Sequence, residues 1–425
     1  MTITSPLLKP APVLKPGEIT REQVEAYSAA LGDTDWMAAK RLDAFRVFRD
    51  TPPPNRHDEL WRRVDLTQFR LAELIATINP LDNALDTKLV PPENLPAGVV
   101  FVDFAAAVHQ HADLLERYYM TECVKVTDAY LAALHAIFVR GGVVLYVPAH
   151  VKVESPFRVF TRMRADQRSG FNHTLVVLEE GAQATLIEDF ATEGEVASDA
   201  QQALYDGVVE IVLGKGAQLD YVNIQDWARN VYNFTNERAR IGEGATLHWV
   251  MGGVGSKFTK SLIEADLVEP HGTALLSGVY FADTRQQLHY DTQQNHFASH
   301  CKSDLLYKAA LRDQARTVWR GNIRVFPGAQ KTDAYQANRN LQLSSQSRAD
   351  SIPGLEIEAD DVRCTHGSTV GTLEQEPIFY LQSRGIPLSE ARRMVVEGFF
   401  APVIERIPSQ ETRERLTAEI SKKVS

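Results

Sequence analysis

A chain of 425 residues with 44% hydrophobic side chains has the length of two or three domains and enough apolar material for large cores, so disorder is excluded as its default state. With 45 basic against 55 acidic residues the formal charge is -10, which disfavours nucleic acid or an anionic membrane as main partner and favours a protein or a small ligand. No basic, apolar leader and no run of about 20 apolar residues is visible, and three scattered cysteines make no disulfide framework; the expected location is the cytoplasm, with free thiols and no membrane attachment.

From Ile19 to Phe48 apolar residues recur at helical spacing through Val24, Tyr27, Ala30, Leu31, Trp36, Ala39 and Phe45, which predicts an amphipathic N-terminal helical region. Proline punctuation follows at Pro52-Pro53-Pro54 and Pro91-Pro92, with Leu60-Trp61 between them. A second helical stretch is expected from about Phe104 to Phe138, so residues 1–135 read as helical and loop-rich.

From Val143 to Val362 the texture changes to short runs rich in β-branched residues, such as Val143-Val144-Leu145-Tyr146-Val147 and Thr174-Leu175-Val176-Val177-Leu178. A Gly-Ala or Gly-Thr pair recurs within them at Gly181, Gly216, Gly244, Gly272 and Gly328; two consecutive intervals are 28 residues and the last is 56. A turn followed by strands is too short to bury its own apolar face, so successive units are expected to stack as a β-solenoid over 136–368. A β-sandwich with coincidental turn glycines is the alternative.

Several motifs in this region carry less than they first show. Gly252-Gly253-Val254-Gly255-Ser256-Lys257 has neither the residue order nor the following helix of a phosphate loop, and is read as a solenoid corner. His289, Asp291, His296, His300 and Cys301 crowd together, but their alternation is irregular, which favours hydrogen bonding over a metal site. Asp360 and Asp361 are adjacent and so face opposite ways, unlike the paired carboxylates of a polysaccharide hydrolase.

Cys364-Thr365-His366 brings together two good soft-metal ligands. In an extended strand both point to one side, yet no CxxC or second CxH supplies the remaining ligands, which must come from another subunit. Helical texture then returns over 369–425. Pro377 fits only a first turn, so a helix should start near Gln375 and stop at Gly385; a second follows Pro387 with Leu388, Ala391, Val395 and Phe399 on one face, and a third runs from Glu411 to Lys422.

The run Asp361-Val362-Arg363-Cys364-Thr365-His366-Gly367-Ser368-Thr369-Val370-Gly371, followed by Phe379-Tyr380-Leu381-Gln382-Ser383-Arg384-Gly385-Ile386 and Gly398-Phe399, resembles the C-terminal signature of the SufB/SufD family of iron-sulfur cluster assembly proteins. The likeness extends upstream through Lys331-Thr332-Asp333, Ala337-Asn338-Arg339-Asn340-Leu341 and Arg312-Asp313-Gln314-Ala315-Arg316, and weakly to Glu59-Leu60-Trp61-Arg62-Arg63. It is most like the SufD branch, because the SufB branch is longer and carries a glutamate where this chain has Gly367.

The resemblance implies a mainly β fold: a right-handed parallel β-helix core flanked by N-terminal and C-terminal helical regions. It also implies a non-ATPase scaffold subunit of the SUF complex, in which a SufB-like paralogue pairs through the end of the β-helix and the ATPase SufC docks on the C-terminal module. Carried over residue by residue, His366 and Cys364 are the expected cluster-assembly residues. With a cysteine and a carboxylate from SufB they would hold iron, sulfide or a cluster transiently, and no cofactor stably. Left to the residues alone, Cys364 also reads as a small core residue and His366 as a hydrogen-bonded edge residue. Phe379, Tyr380 and Arg384 are expected either to line the SufC dock or to serve as core aromatics and a cap. The competing readings are a homodimeric metal- or sulfur-binding β-helix protein without an ATPase partner, and a purely structural one.

Overall fold

The computed structural model describes residues 13–14, 18–164, 169–194 and 201–424. The first region contains α1 (Arg21–Leu31), α2 (Asp35–Asp50), α3 (Leu71–Ile75), β1 (Leu85–Val90), β2 (Val100–Asp103), α4 (Phe104–Gln110), α5 (Ala112–Tyr118) and α6 (Tyr130–Phe138). Sixteen strands follow: β3 (Gly141–Val147), β4 (Phe157–Arg164), β5 (Ser169–Leu178), β6 (Gln183–Glu193), β7 (Ala203–Leu213), β8 (Gln218–Asp226), β9 (Val231–Ile241) and β10 (Thr246–Gly253). The run continues with β11 (Phe258–Leu267), β12 (Thr273–Ala282), β13 (Gln287–His296), β14 (Lys302–Leu311), β15 (Arg316–Val325), β16 (Asp333–Gln342), β17 (Arg348–Ile357) and β18 (Arg363–Thr372). The chain closes with α7 (Gln375–Ser383), α8 (Leu388–Ile404) and α9 (Gln410–Val424).

From β3 onward, odd-numbered strands stack in parallel as one sheet and even-numbered strands as the other, two strands to a coil, making a β-solenoid of about 8 turns. The interior between the sheets is filled from both sides by alternating apolar residues, among them Leu186, Ile211, Leu247, Trp249, Ile263 and Leu305. The two outer faces are covered differently. The N-terminal helices and the connection between α2 and α3 pack Phe48, Trp61, Phe69 and Ile137 onto Leu175, Val208 and Phe234 of the odd sheet. On the even sheet, α8 and α9 lay Phe400, Val403, Leu416 and Ile420 over Val222, Val250 and Val279.

The two ends of the solenoid are unlike. At the first end, β1 lies antiparallel on β4 and β2 antiparallel on β3, so the parallel progression stops there. At the last end, among the described residues, β17 pairs only with β15 and β18 only with β16, leaving two strands of ten residues each with one edge unpaired.

The helical stretch expected from about Phe104 to Phe138 is present, divided into α4, α5 and α6, and the loop after α5 is bound to the sheet: the buried Glu210 carboxylate accepts the N–H groups of Met120 (2.7 Å) and Val124 (3.0 Å). Two expectations need correction. The strands β1 and β2 fall in the region read as helical and loop-rich; each is short, and each is fixed by the partner it finds on the solenoid. Finally, the strand register aligns Gln218, Thr246, Thr273, Lys302, Asp333 and Arg363, which lie 27 to 31 residues apart. The corner residue two places earlier has positive φ at Gly216, Gly244, His271, His300 and Lys331, as does Gly181 before Gln183 in the preceding coil. Gly272 and Gly328 are therefore not the corner equivalents, and the doubled interval hides a corner that His300 occupies at φ 59. Each corner N–H donates to the next coil, as from Gly216 to Glu243 (2.7 Å) and from His300 to Gln330 (2.8 Å).

The Gly252 to Lys257 segment ends β10 and turns the chain toward β11. Gly255 is required by close approach, since a Cβ there would lie 2.1 Å from the backbone nitrogen of Trp227.

Candidate functional site

The last coil carries the Cys364 and His366 pair. β18 is extended, and its residues Cys364, His366, Ser368 and Val370 align with Ala334, Gln336, Asn338 and Asn340 of β16. All four β16 residues are buried, so the four on β18 face the solenoid axis one layer further out, where no coil lies above them. Ser368 Oγ meets Ser351 Oγ of β17 at 2.8 Å and ties the two sheets together across this open layer. Below His366, the Gln336 amide donates to the carbonyl oxygens of Gly354 (2.9 Å) and Gly321 (3.4 Å), bracing the same junction one coil deeper.

Cys364 and His366 share a side but not an environment. The thiol is half-buried against Ile323, Val325, Ala329 and Ala334, whereas His366 is exposed. Burial, and then the negative charge of Asp333, push the Cys364 thiol above its usual range. It is therefore a protonated thiol in the free chain, and a nearby cation would favour its thiolate by compensating both effects. Cys123 and Cys301 are buried, leaving Cys364 as the one partly accessible thiol of the three.

The rim around the pair is apolar. Leu355 (36% exposed), Ile357 (43%) and Val370 (46%) stand on β17 and β18 with their inward faces uncovered. These three were missed in the sequence, where the alternation of Leu355 and Ile357 reads as ordinary core; what marks them is that the stack ends at this coil.

The crowded histidines do not form a site. His289 packs on Phe258 outside the odd sheet, His296 faces inward and meets Ser303 Oγ at 2.9 Å, and His300 is an exposed corner. Among the described residues no three His, Cys, Asp or Glu side chains converge closely enough to hold a metal ion.

On the C-terminal module, α7 buries Ile378 but leaves Phe379 73% and Tyr380 57% exposed, and the exposed Arg384 guanidinium lies 5.3 Å from the Tyr380 ring centre. Leu388 and Met394 of α8 are exposed as well. The aromatics are therefore a surface rather than a core, which is the unusual disposition for two adjacent rings on an amphipathic helix. Among the described residues no helix is long and apolar enough to cross a membrane.

Two family models match the chain: "SUF system FeS cluster assembly, SufBD core domain" over residues 161–399, and "SufBD protein N-terminal region" over residues 72–159. The chain is 28% identical over 440 residues to the iron-sulfur cluster assembly protein SufD of Bacillus subtilis, covering 96% of this chain and 98% of that one. It is 35% identical over 302 residues to an iron-sulfur cluster assembly SufBD family protein of Mycobacterium tuberculosis, covering 69% and 74%. A SufBD family protein of Staphylococcus haemolyticus is 29% identical over 430 residues, covering 92% and 90%.

Proposed function

The chain belongs to the SufBD family of iron-sulfur cluster assembly proteins and is SufD-like, and from that premise we propose that it is the non-ATPase scaffold subunit of a SUF complex, pairing with a SufB-like paralogue through the open end of its solenoid. The observation that carries this reading is the uncapped last coil, which presents Cys364, His366 and an apolar rim together on one end of the molecule. A partner solenoid stacked there would continue both sheets by strand addition and cover the rim.

In this reading the cluster is cargo. Cys364 supplies a thiolate and His366 an imidazole, while the partner supplies at least a further cysteine and a carboxylate. Two ligands from one chain bind too weakly to retain a cluster, which suits a site that must hand it on. Phe379, Tyr380 and Arg384 form the dock for the ATPase SufC, where two exposed rings and a guanidinium have the composition of an interface anchor. ATP hydrolysis belongs to SufC, and the assembly works in the cytoplasm.

Two measurements test the reading. The tagged chain, isolated from its own cell, should bring down a SufB-like paralogue and an ATPase; recovery of a homodimer alone overturns the pairing. His366→Ala should leave complex formation and thermal stability unchanged, because the side chain is exposed, while lowering the cluster yield of the reconstituted complex measured by visible absorbance. An unchanged yield removes the role assigned to His366.

A further inference from the structure

We propose that the cavity between the N-terminus of α6 and the outer face of the odd sheet is a binding site for a small carboxylate with an aromatic or branched aliphatic body. The cavity has a volume of about 230 Å³. Its floor is made by Asp206, Phe234 and Lys260, which stand in register on β7, β9 and β11. Trp61 covers Phe234 with ring centroids 6.4 Å apart, and Leu131 and Leu262 complete an apolar wall.

Residues 129–132 line the cavity, so α6 starts there. Its N-cap is Ala129, and among the described residues no side-chain cap hydrogen bond meets its first turn, where the peptide N–H groups and the positive end of the helix dipole gather. An uncapped helix start is ordinarily met by water. Here buried side chains of the same cavity also lack partners. Asp206 is 3% exposed and its Oδ2 is unpaired among the described residues; Tyr130 is 6% exposed and its hydroxyl is unpaired as well. The Lys260 ammonium, 3% exposed and 5.4 Å from the Trp61 ring centre, bonds Asp291 and has further N–H groups to give. Unpartnered polar atoms at this depth are costly unless something meets them.

The available groups are donors. The other wall carboxylates are committed: Asp58 accepts the Leu60 N–H (3.0 Å), and Asp128 accepts from the Lys125 N–H (2.9 Å) and from Arg238 (3.1 Å). Burial holds the Asp206 carboxyl well above the carboxylate range, so it keeps its proton and donates. Helix N–H groups, a phenol, a carboxylic acid and an ammonium thus line a space that also presents the Trp61 and Phe234 rings and the Leu131 and Leu262 chains, with threonines and Asn236 completing the wall. An acceptor anion with an apolar body satisfies both halves; an amine with the same body satisfies only the apolar half.

The test titrates the full-length chain with 4-fluorophenylacetate, following ¹⁹F line broadening, beside 4-fluorophenethylamine and 4-fluorobenzyl alcohol as cationic and neutral probes. The acid should bind with Kd of roughly 0.1–1 mM, as its size allows, and at least about tenfold more tightly than either control. Lys260→Met should weaken the acid. Because that change strands Asp291, Ala129→Asp is the decisive variant: residue 129 has the extended backbone of an N-cap (φ -153), so aspartate caps α6 from within, maintains or raises Tm, and places a negative charge where the ligand anion would sit. It should abolish binding of the acid. Equal binding of amine or alcohol, unchanged binding to Ala129→Asp, or no broadening with any probe overturns the assignment.

Discussion

Ile357→Asp at the open end separates an interface residue from a core residue. Ile357, Leu355 and Val370 keep 43%, 36% and 46% of their surface exposed. Burying a whole aliphatic side chain contributes about 1.5–3 kcal/mol, so covering the exposed two fifths contributes roughly 0.6–1.2 kcal/mol for each residue and about 2–3.5 kcal/mol for the three. Replacing Ile357 by aspartate removes one share and buries an unpaired carboxylate at a cost of at least ~2 kcal/mol, for a total near 3 kcal/mol, or about 150-fold in Kd for the SufB-like partner. In the free chain the same carboxylate points to water, and only the half already buried is lost: about 1–1.5 kcal/mol, with Tm lower by less than about 4 °C. Calorimetric titration with the partner and a thermal scan of the variant alone measure the two terms. A partner Kd within threefold of the original, or a Tm fall of the size expected for a core substitution, would refute the stacking of a partner on this coil.

Iodoacetamide on the native chain should label Cys364 alone of the three thiols, slowly at neutral pH and faster as pH rises through its elevated range, as peptide mass spectrometry would report; prior labelling of Cys123 or Cys301 contradicts the burial assigned to them. Glu188 and Glu237 are buried inside the solenoid and pushed up to about 7 by burial, so the folded chain keeps protons that the unfolded chain loses near pH 4.3. Their contribution to stability is present below that lower value and is lost as pH rises through about 7; Glu188→Gln with Glu237→Gln should therefore gain Tm relative to the parent between pH 5 and pH 8, and a constant difference across that range argues against it. Gly255→Ala drives a methyl group to 2.1 Å from the Trp227 backbone nitrogen and should destabilise the chain by about 3 kcal/mol in urea unfolding, whereas a shift under ~0.5 kcal/mol would mean the corner can open.

The solenoid was legible in the sequence because its signal is repeated: many short β-branched runs and a glycine corner survive one irregular coil. The corners themselves were partly misread, since His271, His300 and Lys331 adopt the same backbone as the glycines and leave no mark in a glycine count. β1 and β2 were invisible for the opposite reason, each being a single short segment made a strand by the sheet it meets. At the site, period 2 was enough to put Cys364 and His366 on one side. It could not divide them into a half-buried thiol and an exposed imidazole, because that depends on where the coils stop. Nor could it show Phe379 and Tyr380 in solvent, since helical spacing describes a face and not what lies against it. The α6 cavity joins Trp61, Tyr130, Asp206 and Lys260 from four distant segments, and no local pattern connects them.

A parallel stack with both ends bare could add copies of itself indefinitely, as fibrils do. Here β1 and β2 run against the grain at the first end, so the parallel progression of coils has no continuation there and parallel addition is confined to the other end. A molecule that accepts a parallel strand at one end only does not relay that growth through itself to the next.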